Sequence, residues 1–159
     1  STVKVDTIAE KTSANGVSID SVLLKDGAVQ NATITGGTLT DYVETDVAIS
    51  SAAVLAIDLA NGNTGSVTLA HNVTDIDFTN VPSNGTASFT LKATQDGSGS
   101  RTMAINQITV NGGSHATGLT AGNAGITLTT AANSVDLVTF LFFDAGTPLI
   151  NANLDFKNS

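Results

Sequence analysis

The sequence predicts an all-β chain. A short, extended and intertwined N-terminal β segment spans residues 1–51, and an antiparallel β-sandwich of jelly-roll-like form spans residues 52–159. Three observations predict it. Thr, Val, Ile, Gly, Asn and Ser dominate, residues that favour strands and turns over helix interiors. From residue 52 onward, short apolar-alternating runs are separated by Gly- and Asn-rich turn signals, the pattern of a sandwich or barrel. All six Phe lie beyond residue 77, so the large hydrophobes needed for a core belong to the second region.

In the first region, Asn15-Gly16 supplies the positive φ angles of a tight hairpin. Val17 and Ile19 alternate with Ser18 and Asp20, the period of a half-buried strand. Val22, Leu23 and Leu24 follow, and Lys25-Asp26-Gly27 closes with a second turn. From Val29 to Val43 single apolar residues are spaced by small polar ones. Such a chain buries one narrow stripe, and three stripes make a core that one cannot. Residues 1–50 therefore predict a homotrimer. Asp41–Ser51 reads as a helical turn or linker, because Glu44, Asp46 and Ser50-Ser51 interrupt strand alternation.

In the second region, strands are expected at Ala53–Leu59, Gly65–Ala70, Asp75–Thr79, Thr86–Thr94, Thr102–Ile105, Gln107–Val110, Gly125–Thr129, Ser134–Phe143 and Leu149–Phe156. Turns fall at Asn61-Gly62-Asn63, Pro82–Gly85, Asp96–Ser100, Asn111–Gly113 and Asp144–Gly146. In Ser88-Phe89-Thr90-Leu91-Lys92-Ala93 one face is wet and one dry. Phe89, Leu91, Phe140 and Phe142 are assigned to the core. Val138–Phe143 is apolar on both faces, so it reads as a central strand or one covered by a partner subunit.

Composition excludes several functions. The net charge is −8, and only six Lys and Arg are scattered along 159 residues. They cannot neutralise a phosphate backbone or grip an anionic membrane, so neither nucleic acid nor membrane is an expected partner. No cysteine is present, which removes disulfides, thiolate metal sites and thiol nucleophiles. No apolar run approaches the ~20 residues of a membrane helix. The start lacks a signal-peptide pattern, and Ser1-Thr2 reads as a terminus from which Met was trimmed.

The chemistry-bearing residues favour no reaction. His71 and His115 are the only histidines, and neither lies in a metal-ligand or nucleophile-elbow spacing. Each is better read as a turn histidine. Asp75 and Asp77 share one face of a strand, and Asp41, Glu44 and Asp46 form a second acidic group. Neither group alone offers the roughly six oxygen ligands of a Ca²⁺ site, and both read as solvated faces. Asp96-Gly-Ser-Gly-Ser100 lacks the Gly-Lys-Ser/Thr of a phosphate loop. No catalytic residue, metal or cofactor is assigned.

The string Asp6-Thr-Ile-Ala-Glu-Lys-Thr-Ser-Ala-Asn-Gly-Val-Ser-Ile-Asp20 and its continuation to Gly27 resemble the N-terminal segment of tailed-bacteriophage virion structural proteins. The marks Leu59-Ala-Asn-Gly-Asn63, Phe78-Thr-Asn-Val-Pro82, Ser88–Thr102 and Thr129–Phe140 resemble phage structural modules of tail fibres and capsid-associated proteins. Where that family ends in Gly-Gly-Thr and an aromatic, this chain has Asp144-Ala-Gly-Thr-Pro-Leu-Ile150. The resemblance implies a capsid decoration (cement) or head-fibre protein on the outer capsid surface of the virion, assembled in the host cytoplasm. Its expected partners are the major capsid protein and two further copies of itself. Val3, Val5, Ile8, Val17, Ile19, Val22 and Leu24 are the expected capsid-binding stripe, because an extended segment can add to the edge of a coat-subunit sheet. The alternative is a tail-fibre or adaptor subunit that binds the host surface. The lack of Trp and the single Tyr42 weigh against a glycan-stacking platform.

Overall fold

The computed structural model describes residues 40–115, 119–120 and 126–153. The chain divides into two units, Ser1–Thr40 and Asp41–Ser159. The expected N-terminal hairpin and the capsid-binding stripe from Val3 to Leu24 lie outside the described residues.

The second unit is all-β, with two sheets. Its strands are β1 (Asp46–Ala48), β2 (Val54–Asp58), β3 (Thr64–Leu69), β4 (Val73–Thr79), β5 (Thr86–Gln95), β6 (Met103–Val110), β7 (Gly113–His115), β8 (Leu119–Thr120), β9 (Val135–Phe143) and β10 (Leu149–Asn153). A 3-10 turn, Leu59–Asn61, follows β2 and is capped by the Asp58 carboxylate, which accepts from the Ala60 N–H at 2.9 Å. The larger sheet runs β1-β3-β5-β9-β10-β8 and the smaller β2-β4-β6-β7.

Through β6 the chain alternates between the sheets, one strand in each. Neighbours within a sheet are therefore next-but-one in sequence, and they pair parallel: β1 with β3, β3 with β5, β2 with β4 and β4 with β6. β8 and β10 are also parallel. The antiparallel pairing expected throughout is found only at β5–β9, β9–β10 and β6–β7 among the described residues. The reason is in the links. A short link between consecutive strands usually makes a hairpin, but here it carries the chain across the core, and the intervening strand serves as the crossover that a parallel pair requires.

The longer strands bury alternate residues. Leu55 and Ile57 of β2, Ile76 and Phe78 of β4, and Ile108 and Val110 of β6 meet Val67 and Leu69 of β3, Phe89 and Leu91 of β5, and Val138, Phe140 and Phe142 of β9 in one core. Phe89, Leu91, Phe140 and Phe142 are fully buried, as expected. Phe78 joins the layers: its ring lies 6.2 Å from Phe89, 5.0 Å from Phe140 and 4.9 Å from Phe142, all inclined or edge-on. Strands approach closely at Gly65, where an added Cβ would stand 2.8 Å from the Phe89 ring and 2.9 Å from the Val47 carbonyl oxygen.

Several expectations are corrected. Asp41–Ser51 holds no helical turn; Asp46–Ala48 is β1, aligned beside Thr64–Ser66. Thr102–Ile105 and Gln107–Val110 are not two strands but the single β6, whose register against β4 shifts between Val73 and Asp75. Asn111 and Gly112 have φ of 50° and 82°, and this expected turn makes the β6–β7 hairpin.

Residues 126–129 form no strand. At Thr129 the backbone groups are taken by side chains instead of a ladder. The Thr129 N–H donates to the Asp136 carboxylate at 2.8 Å, and the Thr129 carbonyl accepts from the Gln95 amide at 2.9 Å. Gln95 and Asp136 are both buried. Gln95 also donates to the Arg101 carbonyl and accepts from the Arg101 N–H, both at 2.8 Å. One amide thus fastens the end of β5, the approach to β6 and the stretch before β9.

The Asp96–Ser100 link is organised by Asp96. Its Oδ1 accepts from the Ser98 and Gly99 N–H groups, and its Oδ2 accepts from Arg101 Nε at 3.0 Å and from a guanidinium NH₂ at 2.6 Å. Arg101 is paired within the chain. This hydrogen bond holds the Asp96 carboxyl below its ordinary value, against a smaller opposing effect of burial. A depressed folded value means that the ionised form is favoured in the fold. The stabilisation is thus present above the unfolded value and is lost as pH falls through the folded one. Urea midpoints measured from about pH 5 down to about pH 2 should fall less steeply in Asp96→Asn than in the wild type. Parallel curves would show that the pair contributes nothing to acid sensitivity.

Candidate functional site

The two outer faces differ in charge. On the smaller sheet, Asp75 and Asp77 project outward from β4, the same-face placement that their spacing predicts. Thr74 Oγ1 donates to Asp75 at 2.8 Å. Asp58 lies beside them, because Asp58 pairs with Thr79 at the end of β2. Its carboxyl accepts from the Asn80 amide at 2.7 Å and from the Ala60 N–H, and these bonds hold it below its ordinary value. A groove of about 450 Å³ runs along the open β1–β2 edge, lined among others by Val47, Ile49, Val54, Ala56, Asp58 and Asp77.

On the larger sheet, the outward positions of β3, β5, β9 and β10 hold Thr64, Ser66, Thr68, Ser88, Thr90, Lys92, Leu137, Thr139, Leu141, Phe143, Leu149 and Asn151. Lys92 is their only charge, in a chain with 14 carboxylates. Asp46 stands at the far edge on β1, accepting from Ser66 Oγ at 3.0 Å. At the other side Leu141 pairs with Ser88 on β5 and with Leu149 on β10, a row across three strands. Phe143 is 52% exposed and Leu149 43%. β9 is a central strand, as one reading of its two-sided apolarity had it, yet part of its outward side stays open. A second groove, about 430 Å³, lies on this face between Ala48, Ser66, Thr68 and Lys92.

The histidines form no such surface. Ser51 Oγ lies 3.3 Å from His71 Nδ1, but that oxygen already accepts the Ala70 and His71 N–H groups at 2.8 and 3.1 Å. The hydroxyl ties down the β3–β4 link. The side chain of His115 lies outside the described residues. Among the described residues, no three His, Cys, Asp or Glu side chains gather as a metal site would require.

No protein-family model matches this chain, and no curated protein or solved structure matches it. The expected stripe, Val3, Val5, Ile8, Val17, Ile19, Val22 and Leu24, lies outside the described residues. The surface that sequence reasoning did not single out is Leu141–Phe143–Leu149. Its signal was the apolar run Val138–Phe143, which exceeds what one buried face needs.

Proposed function

We propose that this chain is a structural part of a tailed-phage virion: a decoration (cement) protein that binds the outer capsid as a homotrimer and stabilises the shell. Its body is a β-sandwich, and its arm is the thin aliphatic stripe of the N-terminal segment. The support for this reading is the contrast between the two units. The first has no Phe and a string resembling phage virion segments, whereas the second has its own core and an outward apolar face. A lattice contact needs complementary area and valency more than chemistry. Three linked arms raise each other's effective concentration, so modest contacts add to a firm clamp. Val17, Ile19, Val22 and Leu24 would fill apolar pockets of a coat subunit, with main-chain bonds to its sheet edge.

The test adds purified protein to capsids that lack it. The wild type should bind and raise their resistance to heat. Ile19→Asp should not bind, because an unpaired carboxylate in an apolar pocket is costly. Binding by Ile19→Asp equal to wild type would move the anchor out of the arm. Wild type that ignores capsids but adheres to host cells would instead favour a tail-fibre or adaptor role.

A further inference from the structure

We propose that the outer face of the six-stranded sheet, centred on Leu141, Phe143 and Leu149, is the surface through which copies of this chain meet. Only the number of copies, three, rests on the function proposed above.

The first support is exposure. Phe143 closes β9 and Leu149 opens β10, both paired strand residues at one end of the sheet, and they flank Leu141 on the same face. Isolated exposed apolar residues are ordinary, but a contiguous group on a flat sheet marks a contact. The second support is charge. Each copy carries −8, and salt screens that charge beyond about 10 Å, so groups at the contact itself decide whether two copies can touch. Equivalent groups converge at a symmetry axis, so a carboxylate there would face its own copy. The outward positions from β3 to β10 carry none. Lys92 stands two rows along β5 from the Ser88–Leu141–Leu149 row. Asp144 borders Phe143, but its carboxylate is turned to the Gly85 N–H at 2.7 Å. The opposite face fails on charge, with Asp58, Asp75 and Asp77 together, although Val54 is exposed there. A partner of another sequence would impose no such exclusion of acids, so a second copy is the occupant that the pattern fits. Thr90, Thr139 and Asn151 form a row of neutral donors and acceptors beside the apolar group, and such groups can pair with their own kind.

Sedimentation of the full chain over a range of concentrations tests the proposal. The wild type should associate. Ser88→Asp combined with Asn151→Asp places carboxylates at exposed polar positions of this face, where the fold is spared. It should weaken association at least about tenfold, with circular dichroism unchanged. Phe143→Asp should do the same. Thr79→Asp, on the opposite face, should associate like the wild type. A wild type that is monomeric throughout overturns the proposal, as does a Ser88/Asn151 variant that associates normally. Wild-type oligomers that ignore capsids would leave this face standing and overturn only the capsid reading.

Discussion

Phe78→Ala should lower stability by about 3–5 kcal/mol, read from urea or thermal unfolding. Phe78 is fully buried, and it is the ring of the smaller sheet that touches three rings of the larger one. Truncation removes transfer free energy and three inclined ring contacts, and it leaves a cavity between two β layers that cannot close without sliding. A change at the exposed tip, Ser98→Ala, should stay within about 0.5 kcal/mol. Equal effects at the two positions would mean that the register placing Phe78 inward is wrong.

Gln95→Leu should cost about 3–5 kcal/mol, although leucine is apolar and of similar size. The replaced amide satisfies the Arg101 N–H, the Arg101 carbonyl and the Thr129 carbonyl inside the protein. Each backbone group left without a partner costs about 1–3 kcal/mol. Gln95→Glu separates shape from donor chemistry. It keeps the acceptor but loses both donated bonds and buries a carboxylate, so it should be no better than leucine. A leucine variant as stable as wild type would show that water replaces the amide.

The strands that alternate cleanly, such as Thr86–Gln95, were legible because their outward and inward residues differ in kind. The Asn111-Gly112 hairpin was legible because the two residues tolerate the positive φ that the turn demands. Pairing direction was not legible, since parallel and antiparallel strands share a period of two. Asp46–Ala48 was hidden by its shortness; its strand character comes from the ladder with β3 and the close approach at Gly65. The stretch 126–129 looked like a strand because it alternates, yet at its end Gln95 and Asp136 occupy the Thr129 backbone groups that a ladder would use. The candidate face was half legible. The apolar excess of Val138–Phe143 is visible in the sequence, but the absence of acids around it emerges only when four strands are laid side by side.

The alternation of strands between sheets bears on how this protein can change in length. Asp46 lies beside Thr64 and Thr64 beside Thr90, although the second step contains the longer crossing through Pro82–Gly85. The sheet registers both steps alike, because surplus residues leave at the rim. Insertions at the crossings are therefore absorbed outside the layers, whereas one residue added within β3 would turn Val67 and Leu69 to the solvent. Evolution can edit the rim of this protein freely and its strands only in pairs.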